Sequence, residues 1–206
     1  MSISSSKYIS NILLVLASPI QDNDKRLTEI AGLCSYFGSQ CASKGVNVDF
    51  LDLYKEKEFL AGNYLDSNDS KVLEYQIRLN KADMIVVFHP VWFETVPAIL
   101  KGWLENILTT NFAFRTENRL NIPMLTHKKM QVVSFDEKNS FQSKVLFGNQ
   151  LQNFWYKSIF DLTGISGKLE TFYSFRSASD KDISSWKERI TILSNRIKIK
   201  PTILDI

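Results

Sequence analysis

The chain has 206 residues, of which 44% are hydrophobic and 23% charged, the balance of one soluble globular domain with a sizeable core. Its net charge of +3, with no window that clusters Lys and Arg, argues against nucleic acid as a partner. No apolar stretch is long enough to cross a bilayer and the polar start MSISSSKYIS lacks a signal-peptide pattern, so a cytoplasmic protein without membrane insertion is expected.

Residues 1–10 read as a flexible N-terminus, 11–197 as the domain and 198–206 as a tail. NILLVLA, Asn11 to Ala17, is a short continuous apolar run suited to a strand buried on both faces. The loop SPIQDND follows, with capping residues. Leu27, Ile30, Ala31, Cys34 and Cys41 then keep to one face of a helix that Gly45 ends. Along such a helix the two cysteines would lie about 10 Å apart, too far for a disulfide. They read as small core residues of a reducing compartment. VNVDFLDLY, Val46 to Tyr54, has the β-branched and aromatic character of a second strand.

Residues 55 to 68 read as a loop and 69 to 81 as a helix. A third strand, as apolar as the first, runs from Met84 to His89. Val96, Ile99, Leu100, Trp103 and Ile107 mark one face of the next helix, with Pro97 acceptable in its first turn. The connection from Thr109 to Thr126 is polar and without a period. KMQVVSF gives a fourth strand, Gln150 to Thr163 a fourth helix and KLETFYSF a fifth strand. Ile183, Trp186, Ile190, Leu193 and Ile197 define a last amphipathic helix.

Strict alternation of strand and helix implies parallel strands, right-handed crossovers and helices on both faces. Five strands fit an α/β three-layer sandwich of flavodoxin-like order 2-1-3-4-5. In that order the chain reverses direction across the sheet between strands 1 and 3, and ligands bind outside the C-terminal ends of those strands. Those ends are ASPIQDND and HPVWFETVP. The sequence has no GxGxxG, GxxxxGK[ST] or GxSxG, which removes three common nucleotide and nucleophile signatures. Neither His89 nor His127 has metal-like spacing to a cysteine or carboxylate, so no metal is expected.

What remains is the loop after the third strand. PVWFETVP offers main-chain groups held by proline at both ends, with two adjacent aromatics, as a flat heteroaromatic ring requires. Trp92 and Phe93 could equally be a cap on the sheet, and the residues alone leave the two readings even.

The longer stretch HPVWFETVPAILKGWLENILT resembles the NAD(P)H:quinone oxidoreductase family of flavodoxin-like flavoproteins, which includes ancillary oxidoreductases of potassium-efflux systems. Pro90, Val91, Trp92, Phe93 and the run from Pro97 to Trp103 carry the likeness, and NFAFRTENRL resembles the family's next segment. The resemblance implies FMN or FAD as cofactor, NAD(P)H as electron donor, a quinone-like acceptor and a homodimer. It implies that Pro90, Val91, Trp92 and Phe93 lie along the flavin ring. It also implies that Ser18, Asp24 and Lys25 receive the phosphate at a helix N-terminus, where backbone amides suit an anion, and that Ser134 bonds the ring edge. No side chain is an obvious catalytic acid, so the protons are expected to come from water or from His89.

Two loops depart from the family pattern. Ser18-Pro19 stands where His-Pro is usual, with Asp22, Asn23 and Asp24 in the phosphate region. SFDEKNSF, Ser134 to Phe141, has no glycine where the family has Thr-Thr-Gly-Gly. Glu94 stands where an aromatic is common, and Phe141 is the nearest aromatic to a family tyrosine. The expected function is therefore flavin-dependent NAD(P)H oxidoreduction of quinones. The alternative is a binding or regulatory subunit of the same fold that has lost flavin chemistry.

Overall fold

A computed structural model describes residues 8–20, 24–56, 68–146 and 148–199. Asp22 and Asn23 of the first loop and most of the expected 55–68 loop lie outside them. The apolar run at the start forms β1 (Asn11–Leu16), and the periodic segment after it forms α1 (Lys25–Ala42). Next come β2 (Asn47–Asp52), α2 (Ser70–Lys81), β3 (Met84–Pro90) and α3 (Ala98–Ile107). β4 (Phe114–Glu117) and β5 (Leu120–Pro123) form a small antiparallel hairpin, followed by β6 (Lys129–Phe135). A π-helical turn at Gln142–Leu146 precedes a helical stretch: α4 (Gln150–Asn153), π-helical Phe154–Phe160 and α5 (Asp161–Thr163). β7 (Ser166–Phe172), a 3-10 turn (Phe175–Ser177) and α6 (Asp180–Asn195) complete the described order.

The main sheet is parallel, with strand order β2-β1-β3-β6-β7. Counted along this sheet alone, that is the expected 2-1-3-4-5. Alternate residues of its strands feed two cores, as a pleat buried on both faces must. Leu13, Val15, Ile85, Val87 and Val132 pack with Tyr75, Leu100, Trp103 and Trp155 on the side of α2, α3 and α4. Leu14, Leu16, Val86, Phe88, Val133 and Phe172 pack with Phe37, Ile183, Trp186 and Ile190 on the side of α1 and α6. Cys34 and Cys41 are buried, free thiols in the second core. Burial pushes both thiols up, Cys41 to about 11, so neither is a nucleophile at neutral pH.

The hairpin was not expected. Its strands are four residues each and mostly exposed, so they carry no apolar alternation to read. Asn118 and Arg119 both adopt positive φ between them, the backbone that a two-residue hairpin turn requires. The last strand begins earlier than KLETFYSF suggests, because Gly164 closes the preceding helix at φ 75 and releases the chain into β7 at Ser166. Near the two ends of the described chain, Ile9 is 3% exposed, forms an isolated parallel bridge with Ile199 and donates its amide to Lys198 O at 2.8 Å.

Candidate functional site

The crevice at the C-terminal ends of β1 and β3 is built by three loops. In the first, Ser18 is fully buried and its hydroxyl donates to Leu27 O at 3.4 Å, fastening the loop to α1. Asp24 caps α1, its Oδ1 accepting the amides of Arg26 at 3.0 Å and Leu27 at 3.2 Å. Lys25 is exposed in the first helical turn. The expected phosphate region is thus supplied with a carboxylate of its own on the helix amides.

The loop after β3 is the most constrained. Val91 is buried and its amide donates to Phe135 O at 2.8 Å, holding the loop to the end of β6. Trp92 and Thr95 exchange amide hydrogen bonds at 3.0 Å in each direction, closing a two-residue turn on Phe93 and Glu94. Both turn residues have positive φ, 48 and 63, where Gly, Asn and Asp are the usual occupants and larger side chains are strained. Trp92 leans half-buried on the core beside α1, so the sheet-capping reading holds for that ring. Phe93 packs on nothing: it is 99% exposed.

The glycine-free loop after β6, the fourth loop since β6 is the fourth strand of the main sheet in chain order, is closed on itself and on its neighbours. Asp136 is 2% exposed, its amide bonds Phe172 O, its carbonyl accepts Phe175 N, and its carboxylate accepts Lys138 N at 3.0 Å. Ser134 is buried, with its hydroxyl 2.9 Å from the Thr171 hydroxyl on β7. Lys138 pairs with Glu94 across to the loop after β3. Glu137 pairs with Arg176 at 2.6 Å, and Arg176 reaches Asp24 of the first loop at 3.6 Å. Ion pairs therefore tie the loops after β1, β3, β6 and β7 to one another.

His89 lies at the end of β3 opposite Ser134, fully buried against the Trp155 ring at a centroid distance of 5.7 Å. Its Nδ1 is 2.8 Å from Pro90 O, so that nitrogen carries the proton and donates, while Nε2 has no partner among the described residues. Burial pulls the imidazole down to about 4, so the ring is neutral at pH 7. The ring has no surface open to solvent. Its evident work is to fix the carbonyl of Pro90 where the loop begins.

Sequence reasoning missed Lys138, Arg176 and Asp136 as organisers of the site. Their partners lie 44, 39 and 2 residues away, and the two long-range pairs leave no local pattern to read. A cleft of about 540 Å³ lies at the other end of the sheet and includes none of the expected site residues. The crevice is an open surface bounded by loops, and its chemistry rather than its enclosure marks it.

The sheet order is that of a known fold family. The flavodoxin-like fold family covers residues 10–192. The chain belongs to the flavodoxin-like fold family. Within it, 94 residues are 35% identical to an uncharacterized NAD(P)H oxidoreductase of Haemophilus influenzae, covering 42% of this chain and 46% of that protein. A stretch of 137 residues is 27% identical to an FMN-dependent NADH:quinone oxidoreductase of Coprothermobacter proteolyticus, covering 61% and 67% of the two chains. The first match thus spans less than half the length of its relative. Among solved structures, Smu.1420 from Streptococcus mutans superposes with a TM-score of 0.77 at 22% identity, over 91% of this chain and all of that one, a likeness of fold.

A flavin can be tested against this flavodoxin-like crevice at both of its ends. The ring end fits: a rigid turn presents an unencumbered aromatic face, and its backbone is pinned through Val91 and Thr95. The phosphate end has amides and cations, Arg176 among them, with the Asp24 carboxylate between them. That carboxylate takes up the Arg26 and Leu27 amides that a phosphate would use.

Proposed function

We propose that this flavodoxin-like protein is a flavin-dependent NAD(P)H oxidoreductase, using FMN, that reduces quinones or similar small electrophiles. The observation that carries the reading is Phe93, an aromatic ring held bare to solvent on a strained turn at the ligand-binding edge of the sheet. The names of the relatives, one of them FMN-dependent, support the cofactor and the acceptor class.

Bound FMN would supply the hydride chemistry, accepting from the nicotinamide and passing to the acceptor. The chain's part is to bind and orient. Phe93 and the backbone from Pro90 to Trp92 would receive the ring, with the Glu94–Lys138 pair holding the turn in place. Ser18 and Lys25 flank the phosphate end, where Arg176 would exchange Asp24 for the phosphate. Ser134 acts through Thr171, steadying the β6–β7 edge below the ring. Solvent supplies the proton, since His89 is neutral and enclosed. Exposed Phe141, Val145 and Leu146 support a homodimer, which light scattering would report as twice the chain mass.

A specific observation favours a second reading. The Asp24 carboxylate already fills the α1 amides, and the fourth loop has no glycine and is closed by Asp136. A regulatory subunit without flavin needs nothing more. Purified protein mixed with FMN decides between them. Retained absorption near about 450 nm, the band of the oxidised cofactor, with NADH or NADPH consumed when benzoquinone is added, supports the enzyme. Protein that stays colourless supports the subunit.

A further inference from the structure

We propose that the cleft at the N-terminal end of the sheet binds an amphipathic anion, a carboxylate on an apolar body. This cleft, of about 540 Å³, opens between α6 and the first residues of β3, β6 and β7, at the opposite end of the sheet from the crevice. Its size falls in the range of small-molecule sites, about 300–1,000 Å³. Phe37 and Leu193 give it apolar walls. Protein layers normally close such a gap to organic-crystal density, because a wall without partner atoms forfeits its dispersion contacts. An apolar body in the cleft restores them.

The rim chooses the sign of the ligand. Lys168, Arg196 and Lys198 stand around it, all exposed, and no carboxylate is among the described residues that line the cleft. None of the three makes an ion pair with a described residue. The C-terminus of α6, which Arg196 caps, carries roughly half a negative charge and offsets only a fraction of three cations. A carboxylate at the rim answers the remainder, and its apolar body lies against Phe37 and Leu193.

Decanoate is the probe, added below its micelle concentration to the full chain and followed by amide chemical shifts. Decanol is the uncharged control. The expected result is saturable binding with shifts at Phe37, Leu193 and Arg196, affinity that falls as salt rises, and decanol bound more weakly. Lys168→Glu and Arg196→Glu, both at exposed positions, should each weaken decanoate about fivefold. FMN binding at the far end of the sheet should be unchanged in both, so this outcome is read separately from the flavin question. Shifts scattered over the surface, decanol bound as well as decanoate, or charge reversals without effect would each overturn the proposal.

Discussion

Phe93 stands nearly free in solvent at a φ of 48, and Glu94 follows at 63. A bulky residue there strains the turn and buries nothing in return, so stability alone does not explain it. Phe93→Gly should hold or raise stability, by up to about 1 kcal/mol. Urea unfolding reads this, and a clear loss would mean the ring packs on something. Asp24 separates two roles in the same way. Asp24→Asn keeps an N-cap side chain but removes the charge, so helix stability should hold while FMN binds about fivefold tighter. Asp24→Ala should lose about 1 kcal/mol by the same unfolding assay. Equal FMN affinity in wild type and Asp24→Asn would show that the carboxylate does not compete with phosphate. His89 gives a pH signature. With a folded value of about 4 against about 6.5 unfolded, the unfolded chain binds the extra proton first on acidification. Its contribution is complete above pH 6.5 and is lost as pH falls towards 4, by about 3 kcal/mol at most. In His89→Asn, whose amide can still donate to Pro90 O, that acid slope should flatten; an unchanged profile would assign the acid loss elsewhere.

At the scale of elements, the strands and helices that could be read were those whose burial leaves a period. β1 and β3 are apolar on both faces, and Ile99, Leu100, Trp103 and Ile107 of α3 are all buried as their spacing requires. The β4–β5 hairpin was invisible because its strands are short and mostly exposed, which leaves no period. The loop ties were invisible for another reason: Lys138 and Glu94, or Arg176 and Asp24, meet only once the sheet has placed their loops together. Close packing between elements adds a constraint that no period reports. At Gly167, opening β7, an added Cβ would stand 2.3 Å from the Phe160 ring. Gly167→Ala should therefore destabilise by about 1–3 kcal/mol through overpacking, measured as a lower urea midpoint. A neutral result would mean that the Phe160 ring has room to turn.

For the molecule as a whole, topology was the most legible level. Strict alternation gave one parallel sheet and one reversal of strand order, and the stretch HPVWFETVP falls at that reversal. The site was legible in position and incomplete in chemistry. Pro90 to Phe93 could be named from the sequence, whereas the burial of His89 and Ser134 and the closing of the fourth loop depend on the folded environment. No helix among the described residues is long and apolar enough to cross a membrane. The central claim is that the turn at Phe93 holds a flavin ring. Titrating FMN into the protein, with flavin fluorescence as the readout, tests it directly in the wild type and in Phe93→Gly. The account predicts saturable binding of one FMN per chain, weakened about threefold to tenfold when the ring of Phe93 is removed. A flat titration, or equal affinity in the two proteins, would contradict it.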